Sequence, residues 1–496
     1  MLAELPLLER SDLISTTLRV AAPLVPQRKP VEGEQYRFHF DMTKCIGCKC
    51  CVVACNEQNG NPAEINWRRV GEIEGGVFPL TQRWHLSMGC NHCLEPSCMT
   101  GCPVEAYTKD PLTGIVDHSA DACIGCQYCT WNCSYGVPQF NESRGVVGKC
   151  DMCHGRLSAG LSPACVNACP EGAIAIEIVN MAAWRRQHDG ANAPGLPSAD
   201  DSFSTTRITL PANAIGDLNR VDTARVRPEN PHWSLIFLLV LTQLAVGAMS
   251  IVWLLECFGA HLASTAPLLP LAVGLLSLAA APIHLGRPIY AYRAVRGWKR
   301  SWLSREILTL SIFAAAAAAY SGALFFGLPY RLEFGALTVL AGLAGVTCSA
   351  RIYMVPARPA WNMAHTLIEF LLTAAILGPA LTVATGVSSE PWLVRVALFA
   401  SALQVANAGL KYVRMSASQT HELRGSATLL AVVLRPWFVA RILGLFAGGI
   451  ALALGTPVVA FVIALASEIA GRYLFFTAVV PKGVASTFIA PGRRAA

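Results

Sequence analysis

Sixteen of the nineteen cysteines in this 496-residue chain fall into four groups of four before residue 170. The groups are Cys45, Cys48, Cys51 and Cys55; Cys90, Cys93, Cys98 and Cys102; Cys123, Cys126, Cys129 and Cys133; and Cys150, Cys153, Cys165 and Cys169. They are called here the first to fourth tetrads. Cysteines at such repeated spacings either cross-link a chain or bind metal, so they restrict the possible folds more than any other feature.

Three kinds of cysteine chemistry compete for this pattern. Disulfide frameworks are typical of small secreted chains, whereas these cysteines precede a long apolar region. Zinc sites use pairs of C-x2-C hooks, which would leave two cysteines of each tetrad unexplained. The first and third tetrads have the C-x2-C-x2-C-x3-C spacing of bacterial ferredoxins, in which three thiolates bind one cubane and the fourth reaches a neighbouring cluster. Four ligands per cluster therefore predict four [4Fe-4S] clusters.

The three remaining cysteines are not predicted to bind metal. Cys50 lies beside Cys51, out of register with the first tetrad, and we expect it to be a small buried residue. Cys257 and Cys348 lie in the apolar half, where a lone thiol usually packs against its neighbours. The predicted ligand set is therefore complete with the four tetrads.

Composition divides the chain. Residues 1–180 are rich in Gly, Pro, Cys and charge, and we predict an α+β ferredoxin-like domain with short strands near 36–40 and 173–178. Residues 181–232 are polar and lack periodicity, which predicts an extended linker. The hydrophobic content of 53% is carried mainly by the part that follows.

Residues 233–481 are predicted to form an all-α membrane bundle. A membrane span needs about 20 mostly apolar residues, and about eight such stretches are present. They are centred near Leu244, Leu275, Ala315, Leu343, Thr373, Ala402, Leu445 and Ile463. Residues 482–496 then form a basic tail. We therefore expect a multi-pass protein of the inner membrane.

Basic residues predict the orientation of the bundle. With eight spans, most Lys and Arg residues outside the spans belong to one face: Arg220, Arg225, Arg227, Arg287, Arg293, Arg296, Lys299, Arg300, Arg305, Arg351, Arg358, Lys411, Arg414, Arg424, Arg435, Lys482, Arg493 and Arg494. Short loops rich in Lys and Arg stay in the cytoplasm. The N-terminal stretch MLAELPLLERSDLIST has neither a signal-peptide pattern nor a twin-arginine pair. The iron-sulfur domain is therefore predicted on the cytoplasmic side.

The motifs of both halves resemble one known family. CIGCKCCVVAC, CNHCLEPSCMTGCP, CIGCQYCTWNCSYGVPQFNE and KCDMCHGRLSAGLSPACVNACP resemble the four-cluster electron-transfer subunit of the dimethyl sulfoxide reductase family of molybdenum enzymes. HLGRPIYAYRA, SWLSREI and SEIAGRYLFF are similar to its eight-helix anchor. The resemblance implies a fusion of two subunits, with a separate molybdopterin-containing catalytic subunit, membrane lipid and quinone or quinol (menaquinone or ubiquinone) as partners. The sequence shows no nucleotide-binding loop and no room for a molybdopterin domain, so we expect no substrate turnover by this chain alone and no nucleic-acid partner.

The resemblance also implies a nested sharing of the tetrads. The implied ligand sets are Cys45, Cys48, Cys51 with Cys169; Cys150, Cys153, Cys165 with Cys55; Cys90, Cys93, Cys98 with Cys133; and Cys123, Cys126, Cys129 with Cys102. Some relatives carry tryptophan at the position of Cys126 and hold a three-iron cluster, so the cysteine here implies a [4Fe-4S] cluster. The familiar dimethyl sulfoxide reductase faces the periplasm, whereas sulfite-oxidising and some nitrate-reducing relatives face the cytoplasm. The substrate is therefore not implied.

Ionisable residues at the ends of two spans are candidates for the quinone site. His284 ends the second span beside Arg287, and an imidazole can bond a quinone oxygen and exchange its proton near neutral pH. Arg305 and Glu306 begin the third span close to the same face. These four residues form the first predicted quinone site.

A second candidate lies inside the last span. Glu468 and Arg472 are one helical turn apart, so their side chains can meet on one face. A charge in the bilayer core costs about 2.5 to 3.5 kcal/mol and is usually paired or functional. The two residues form either a structural ion pair or part of a quinone site. Glu369 and His365, in the fifth span, are weaker candidates.

Two functions from different classes fit these features. The first is an electron-transfer and anchor subunit that links a catalytic subunit to quinone. The second is an ion- or proton-translocating module, which needs a relay of ionisable groups that the first four spans hardly provide. A pure anchor would leave the clusters without an electron acceptor in the membrane. A periplasm-facing sulfoxide reductase subunit is the alternative if the orientation is reversed.

Overall fold

The computed structural model describes residues 24–212, 218–221 and 226–483. The N-terminal stretch used to argue against export lies outside the described residues. So do Arg225, Arg493, Arg494 and most of the predicted basic tail.

A three-stranded sheet closes the outer side of the iron-sulfur domain. Strand β1 (Glu34–Asp41) pairs antiparallel with β8 (Ile174–Asn180) and parallel with β9 (Arg207–Thr209). Alternate side chains of β1, such as Phe38 and Phe40, are buried against the cluster region, as a half-buried strand requires. The two strands predicted at the ends of the domain are therefore confirmed, and they are neighbours.

Three further strand groups surround the tetrads. The hairpin β2 (Arg69–Gly75) and β3 (Gln82–Met88) is extended by β10 (Asn219–Arg220). β4 (Tyr107–Lys109) pairs with β5 (Val116–His118), and β6 (Gln139–Asn141) pairs with β7 (Val146–Gly148). Because β9 and β10 come from residues 181–232, the predicted linker crosses the domain but also adds a strand to each three-stranded sheet.

Short helices follow the closely spaced cysteines. They are α1 (Cys50–Asn59), α2 (Ser97–Gly101), α3 (Tyr128–Asn132), α4 (His154–Ser158), α5 (Ala164–Asn167) and, within the linker, α6 (Met181–Arg186). Lys49 (φ 67°) and Gln127 (φ 60°) precede α1 and α3 in the left-handed conformation. This backbone turn folds the C-x2-C loop back over the start of the helix, so successive thiols face one space.

The described part of the C-terminal half contains seven helices long and apolar enough to cross a membrane. They are α7 (Trp233–Cys257), α9 (Trp302–Phe326), α10 (Arg331–Tyr353), α11 (Ala364–Ala384), α12 (Pro391–Ser416), α14 (Arg435–Ala453) and α15 (Pro457–Thr477), with the short α13 (His421–Thr428) before α14. The predicted second span is a broken element. Helix α8 (Leu268–Ala280) continues as a 3-10 turn to His284 and then bends by 107° into a second 3-10 segment, Pro288–Val295. Counting this pair as one span gives the predicted eight.

Helix α7 is the centre of the bundle. Its backbone touches α11 at Gly247, where a Cβ atom would lie 2.1 Å from the carbonyl oxygen of Ala374. Glycine is needed at such a contact because any side chain would separate the two helices. Helices α12 and α14 pack outside this pair and expose much of their surface.

Candidate cluster sites and their contact with the anchor

The fold brings the tetrad thiols together in four sets, called here sites A to D. Site A is Cys45, Cys48, Cys51 and Cys169; site B is Cys55, Cys150, Cys153 and Cys165; site C is Cys90, Cys93, Cys98 and Cys133; site D is Cys102, Cys123, Cys126 and Cys129. Within each set the thiols lie within electrostatic range of one another. These are the sets that the family resemblance implied, and the ligation itself stays a prediction.

The sites form a row. Cys51 of site A lies within electrostatic range of Cys165 of site B, and Cys150 of site B lies within electrostatic range of Cys90 of site C. Tyr107 lies within range of thiols of both site C and site D. The four sites therefore follow one another in the order A, B, C, D.

The surroundings of the thiols suit an iron-sulfur cubane. Backbone N–H groups donate to sulfur at 3.3 to 3.4 Å: Ala106 to Cys102, Gly125 to Cys123, Met152 to Cys150 and Ala173 to Cys169. In site C the Ser202 hydroxyl donates to Cys93 at 3.1 Å. The four cysteines of site A line a single cavity. Hydrogen bonds to sulfur stabilise thiolates and tune cluster potentials, so these residues fit the predicted clusters.

Two buried cations lie between the sites. Arg68 and Lys149 are 3% and 4% exposed. Burial alone lowers the pKa of Arg68, but the thiols of Cys165, Cys51 and other ligands of sites A and B raise it above its ordinary value. Burial likewise lowers the pKa of Lys149, and thiols of sites C and B raise it overall. Each cation thus offsets the negative charge of two adjacent sites.

The two ends of the row differ in exposure. At site A, Cys48 and the neighbouring Ile46 are exposed. Cys50 is exposed as well, so its predicted burial is wrong, because α1 turns it away from the domain interior. At site D, by contrast, Cys102, Cys123 and Cys129 are buried.

Site D is covered by the bent segment of the anchor. The N–H of Gly286 donates to the carbonyl of Gly125 at 3.3 Å, and the N–H of Arg287 donates to Ile124 at 3.1 Å. The Arg287 guanidinium also donates to the Ala120 carbonyl at 2.9 Å. The 107° bend therefore presents its backbone directly to the Cys123–Cys126 loop.

The other chain segment of site D contacts the anchor too. The Gly297 N–H donates to the carbonyl of Pro103 at 2.8 Å, and the Ser301 hydroxyl donates to Gly101 at 2.7 Å. Arg300 and Glu105 form a half-exposed ion pair at 2.5 Å. Both segments that supply thiols to site D are thus bonded to the anchor.

Trp131 forms a third contact, which sequence reasoning did not single out. This buried residue lies between Cys129 of site D and Cys133 of site C. Its ring is 5.4 Å from His232, 5.7 Å from Tyr353 and 5.6 Å from Trp361. A bulky aromatic residue inside a cysteine tetrad was the available signal. The sequence alone could not show that it reaches the membrane helices.

The residues of the first predicted quinone site have different environments. His284 lies two residues before Gly286, and its buried Nδ1 makes no well-formed hydrogen bond with the described residues. Glu306 is 7% exposed, lies beside the Ser349 hydroxyl and forms no ion pair within the described part of the chain. Arg287 is bonded to the iron-sulfur domain, and Arg305 donates to the carbonyls of Trp298 and Lys299. Arg287 and Arg305 are thus engaged by protein carbonyls, whereas His284 and Glu306 form no ion pair within the described part of the chain.

The second predicted pair is part of a larger buried network. Arg472 donates to Gln243 at 2.9 Å and to Thr373 at 3.2 Å. Glu468 accepts hydrogen bonds from Thr373 at 2.6 Å and from Gln404 at 3.2 Å. The structure therefore joins Glu468 and Arg472 through Thr373, in addition to their charge attraction along α15.

Glu369, a weaker candidate in the sequence, is the centre of this network. Its carboxylate lies 2.9 Å from Arg441, 3.7 Å from Lys411 and 3.8 Å from Arg472. Lys411 and Arg414 were predicted in the loop after the sixth span, and this placement is wrong because α12 extends to Ser416. His365 is held by Asn407, whose Oδ1 lies 2.7 Å from the histidine Nδ1.

Two comparisons with known families decide the affiliation of the chain. Residues 82–178 match the 4Fe-4S dicluster domain, and residues 229–478 match the DMSO reductase anchor subunit (DmsC). The second match covers just over half of the chain. The chain belongs to the DmsC family of DMSO reductase anchor subunits. It is a multi-pass membrane protein in which an iron-sulfur electron-transfer subunit is fused to a DmsC-type anchor, as the sequence motifs predicted.

Individual relatives match the iron-sulfur half. One chain of the anaerobic dimethyl sulfoxide reductase of Escherichia coli K12 is 38% identical over 189 residues, which are 36% of this chain and 90% of the relative. One subunit of the sulfite dehydrogenase of Allochromatium vinosum is 38% identical over 155 residues, 27% of this chain and 65% of the relative. The formate dehydrogenase iron-sulfur subunit of Haemophilus influenzae is 33% identical over 183 residues, which are 34% of this chain and 58% of the relative. The iron-sulfur half is thus similar to subunits of complexes with different substrates.

Proposed function

We propose that this fusion protein is the electron-transfer and membrane-anchor subunit of a molybdopterin oxidoreductase. It carries electrons between a separate catalytic subunit and the quinone pool of the membrane. The observation that supports this function best is the direct contact of site D with the bent segment at Gly286. That contact makes site D the end of the row that is nearest to the membrane.

The proposal includes four [4Fe-4S] clusters, bound at sites A to D. When bound, the clusters supply one-electron transfer at potentials set by their surroundings. The thiols fix the cluster positions, and the N–H donors with Arg68 and Lys149 stabilise the negative charge.

Metal analysis tests the proposed number of four clusters. Anaerobically purified protein is expected to contain about sixteen iron atoms per chain, four per cubane. Cys126→Ser should convert or remove the cluster of site D and leave the other three, because each site has its own thiols. Iron assays with electron paramagnetic resonance check both statements. About eight iron atoms, zinc in place of iron, or an unchanged site D spectrum in Cys126→Ser would contradict the assignment.

The catalytic subunit is proposed to dock at site A, where Cys48 and Ile46 are exposed at the far end of the row. Electron transfer needs a short path, and the other sites lie deeper. The names of the relatives cover sulfoxide, sulfite and formate chemistry, so they do not single out a substrate. The substrate would be identified by purifying the intact complex and assaying it with sulfite, nitrate and sulfoxides against a quinone analogue. A complex that holds its catalytic subunit against the anchor would contradict docking at site A.

Quinone is proposed to react at the cytoplasmic end of the second span, next to site D. Reduction of a quinone adds two electrons and two protons, and oxidation of the quinol reverses both. His284 can bond the quinone oxygen and exchange one proton, since an imidazole nitrogen can accept a proton and return it. The buried carboxyl of Glu306 is a second group that can bind or release a proton. Arg287 acts indirectly, because its bonds hold the bend against the Cys123–Cys126 loop.

His284→Ala tests this site. The variant is expected to lose quinone-coupled turnover while dye-linked activity at the catalytic subunit stays unchanged, because the clusters and the docking contact are not altered. His261→Ala is the matched control, since His261 is exposed in the loop before α8. Steady-state assays with a quinone analogue and with an artificial dye separate the two activities. Normal quinone kinetics in His284→Ala would place the reaction elsewhere.

The iron-sulfur domain is proposed to face the cytoplasm. Arg287, Arg293 and Arg300 belong to the basic segment between the second and third spans, and all three contact the iron-sulfur domain. The domain and this segment therefore lie on the same side, and segments this basic are retained in the cytoplasm. A reporter fused to the C-terminus should be active only in its cytoplasmic form. Activity of a periplasmic reporter would reverse the orientation and support a periplasm-facing reductase.

A further inference from the structure

We propose that a cavity between α11, α12, α14 and α15 binds a second quinone or quinol headgroup, separate from the site at His284. Its walls include Trp361, Glu369, Asn407, Lys411, Arg441 and Phe475. The proposal rests on the quinone-linked function argued above and adds a binding site to it. Four features of the cavity support it.

The first feature is a pair of cationic groups with unused hydrogen-bond capacity. Arg441 is 6% exposed, and its Nε has no hydrogen-bond partner among the described residues. The ammonium of Lys411 lies 3.7 Å from the Glu369 carboxylate, which is longer than a hydrogen bond. Buried donors are nearly always paired in native proteins. A ligand that offers oxygen acceptors, such as the carbonyls of a quinone, would satisfy both.

The second feature is an excess of positive charge. The network holds three cations, the partly buried Lys411 with the buried Arg441 and Arg472, and two buried carboxylates, Glu369 and Glu468. Such a site disfavours a cationic ligand and favours one whose oxygens carry negative charge. A quinone gains negative charge on its oxygens when it accepts electrons, so its reduction would be stabilised here.

The third feature is an aromatic and apolar wall. The ring of Phe475 stacks on Trp361 with centroids 5.1 Å apart and planes 10° from parallel. Leu430, Phe438 and Leu474 also line the cavity. Binding sites for small ligands typically combine apolar walls with a few polar groups, as this cavity does.

The fourth feature connects the cavity to the cluster sites. Trp361 lines the cavity, and its ring is 5.6 Å from that of Trp131. Trp131 is two residues from Cys129 of site D and two from Cys133 of site C. Two packed side chains therefore separate the cavity from the chain segment that holds the cluster thiols, and this proximity is what a redox-active ligand requires.

Filling the cavity tests the proposal without changing its charges. Ala408 lines the cavity on α12, whereas Ala406 of the same helix is exposed. The intact complex in detergent would be titrated with a fluorescent 4-hydroxyquinoline N-oxide, a quinol analogue. We expect two bound molecules per chain in the parent and in Ala406→Leu. Ala408→Leu should bind one, and Ala408→Leu combined with His284→Ala should bind none.

A charge variant provides a second measurement. Lys411→Met should weaken one of the two binding steps about tenfold, since it removes a charged donor. Arg414→Met, one turn further along α12 and exposed, should bind like the parent. Two bound molecules in Ala408→Leu would overturn the proposal. So would a single bound molecule in the parent that only His284→Ala removes, or displacement of one equivalent by anionic lipid but not by a short-chain quinone. A parent that binds no analogue would instead refute the quinone-linked function itself.

Discussion

Gly286→Ala is expected to abolish electron transfer between the iron-sulfur domain and the membrane without removing iron from the protein. A Cβ atom on residue 286 would lie 2.2 Å from the carbonyl oxygen of Gly145 and 2.6 Å from its carbonyl carbon. Both atoms belong to the backbone, so no side-chain rotation can relieve the clash. The bend must therefore separate from the loops around site D, and the transfer rate falls steeply as that distance grows.

Three measurements and one matched variant would check this result. Quinone-coupled turnover should fall close to background, while dye-linked activity and iron content stay at the parent level, because the thiols are untouched. Gly322→Ala is the control, since a Cβ atom at Gly322 would have no neighbour within 4 Å. If Gly286→Ala retained full quinone-coupled turnover, the bend would not be the contact through which electrons reach the membrane.

The sequence predicted the parts of the fold that depend on local spacing. The tetrads predicted the iron-sulfur domain, because cluster ligation requires fixed intervals along the chain. Strands β1 and β8 and the apolar spans followed from periodicity and length. The contact at Gly286 could not be predicted in this way, since Gly125 and Gly286 are far apart in sequence and meet only after both halves have folded.

The buried network shows a different limit of sequence reasoning. The one-turn spacing of Glu468 and Arg472 predicted that they meet, and that rule concerns a single helix. In the bundle, Arg472 also reaches Gln243 on α7 and Glu369 on α11, because these helices pack against α15. Which charges meet across helices depends on how each helix is rotated about its axis, and a single sequence does not give that rotation. The sequence therefore did not reveal the central place of Glu369 in this network.

The central position of Glu369 gives the second large effect. Glu369→Gln is expected to destabilise the anchor by about 3 to 5 kcal/mol, the usual result of removing one partner from a buried ion pair. The amide would leave Lys411, Arg441 and Arg472 together, with only the more distant Glu468 to offset them. Burying unpaired charge is what makes this loss large.

The measurement is the yield and thermal unfolding of the detergent-solubilised complex. Glu390→Gln is the matched control, because Glu390 is exposed before α12 and forms no ion pair within the described residues. Arg472→Ala should lower the yield less than Glu369→Gln. In that variant Glu369 keeps Arg441 and Lys411, and Glu468 keeps its bonds from Thr373 and Gln404. If Arg472→Ala proved the more damaging change, Glu468 and not Glu369 would be the carboxylate on which the packing of α11, α12, α14 and α15 depends.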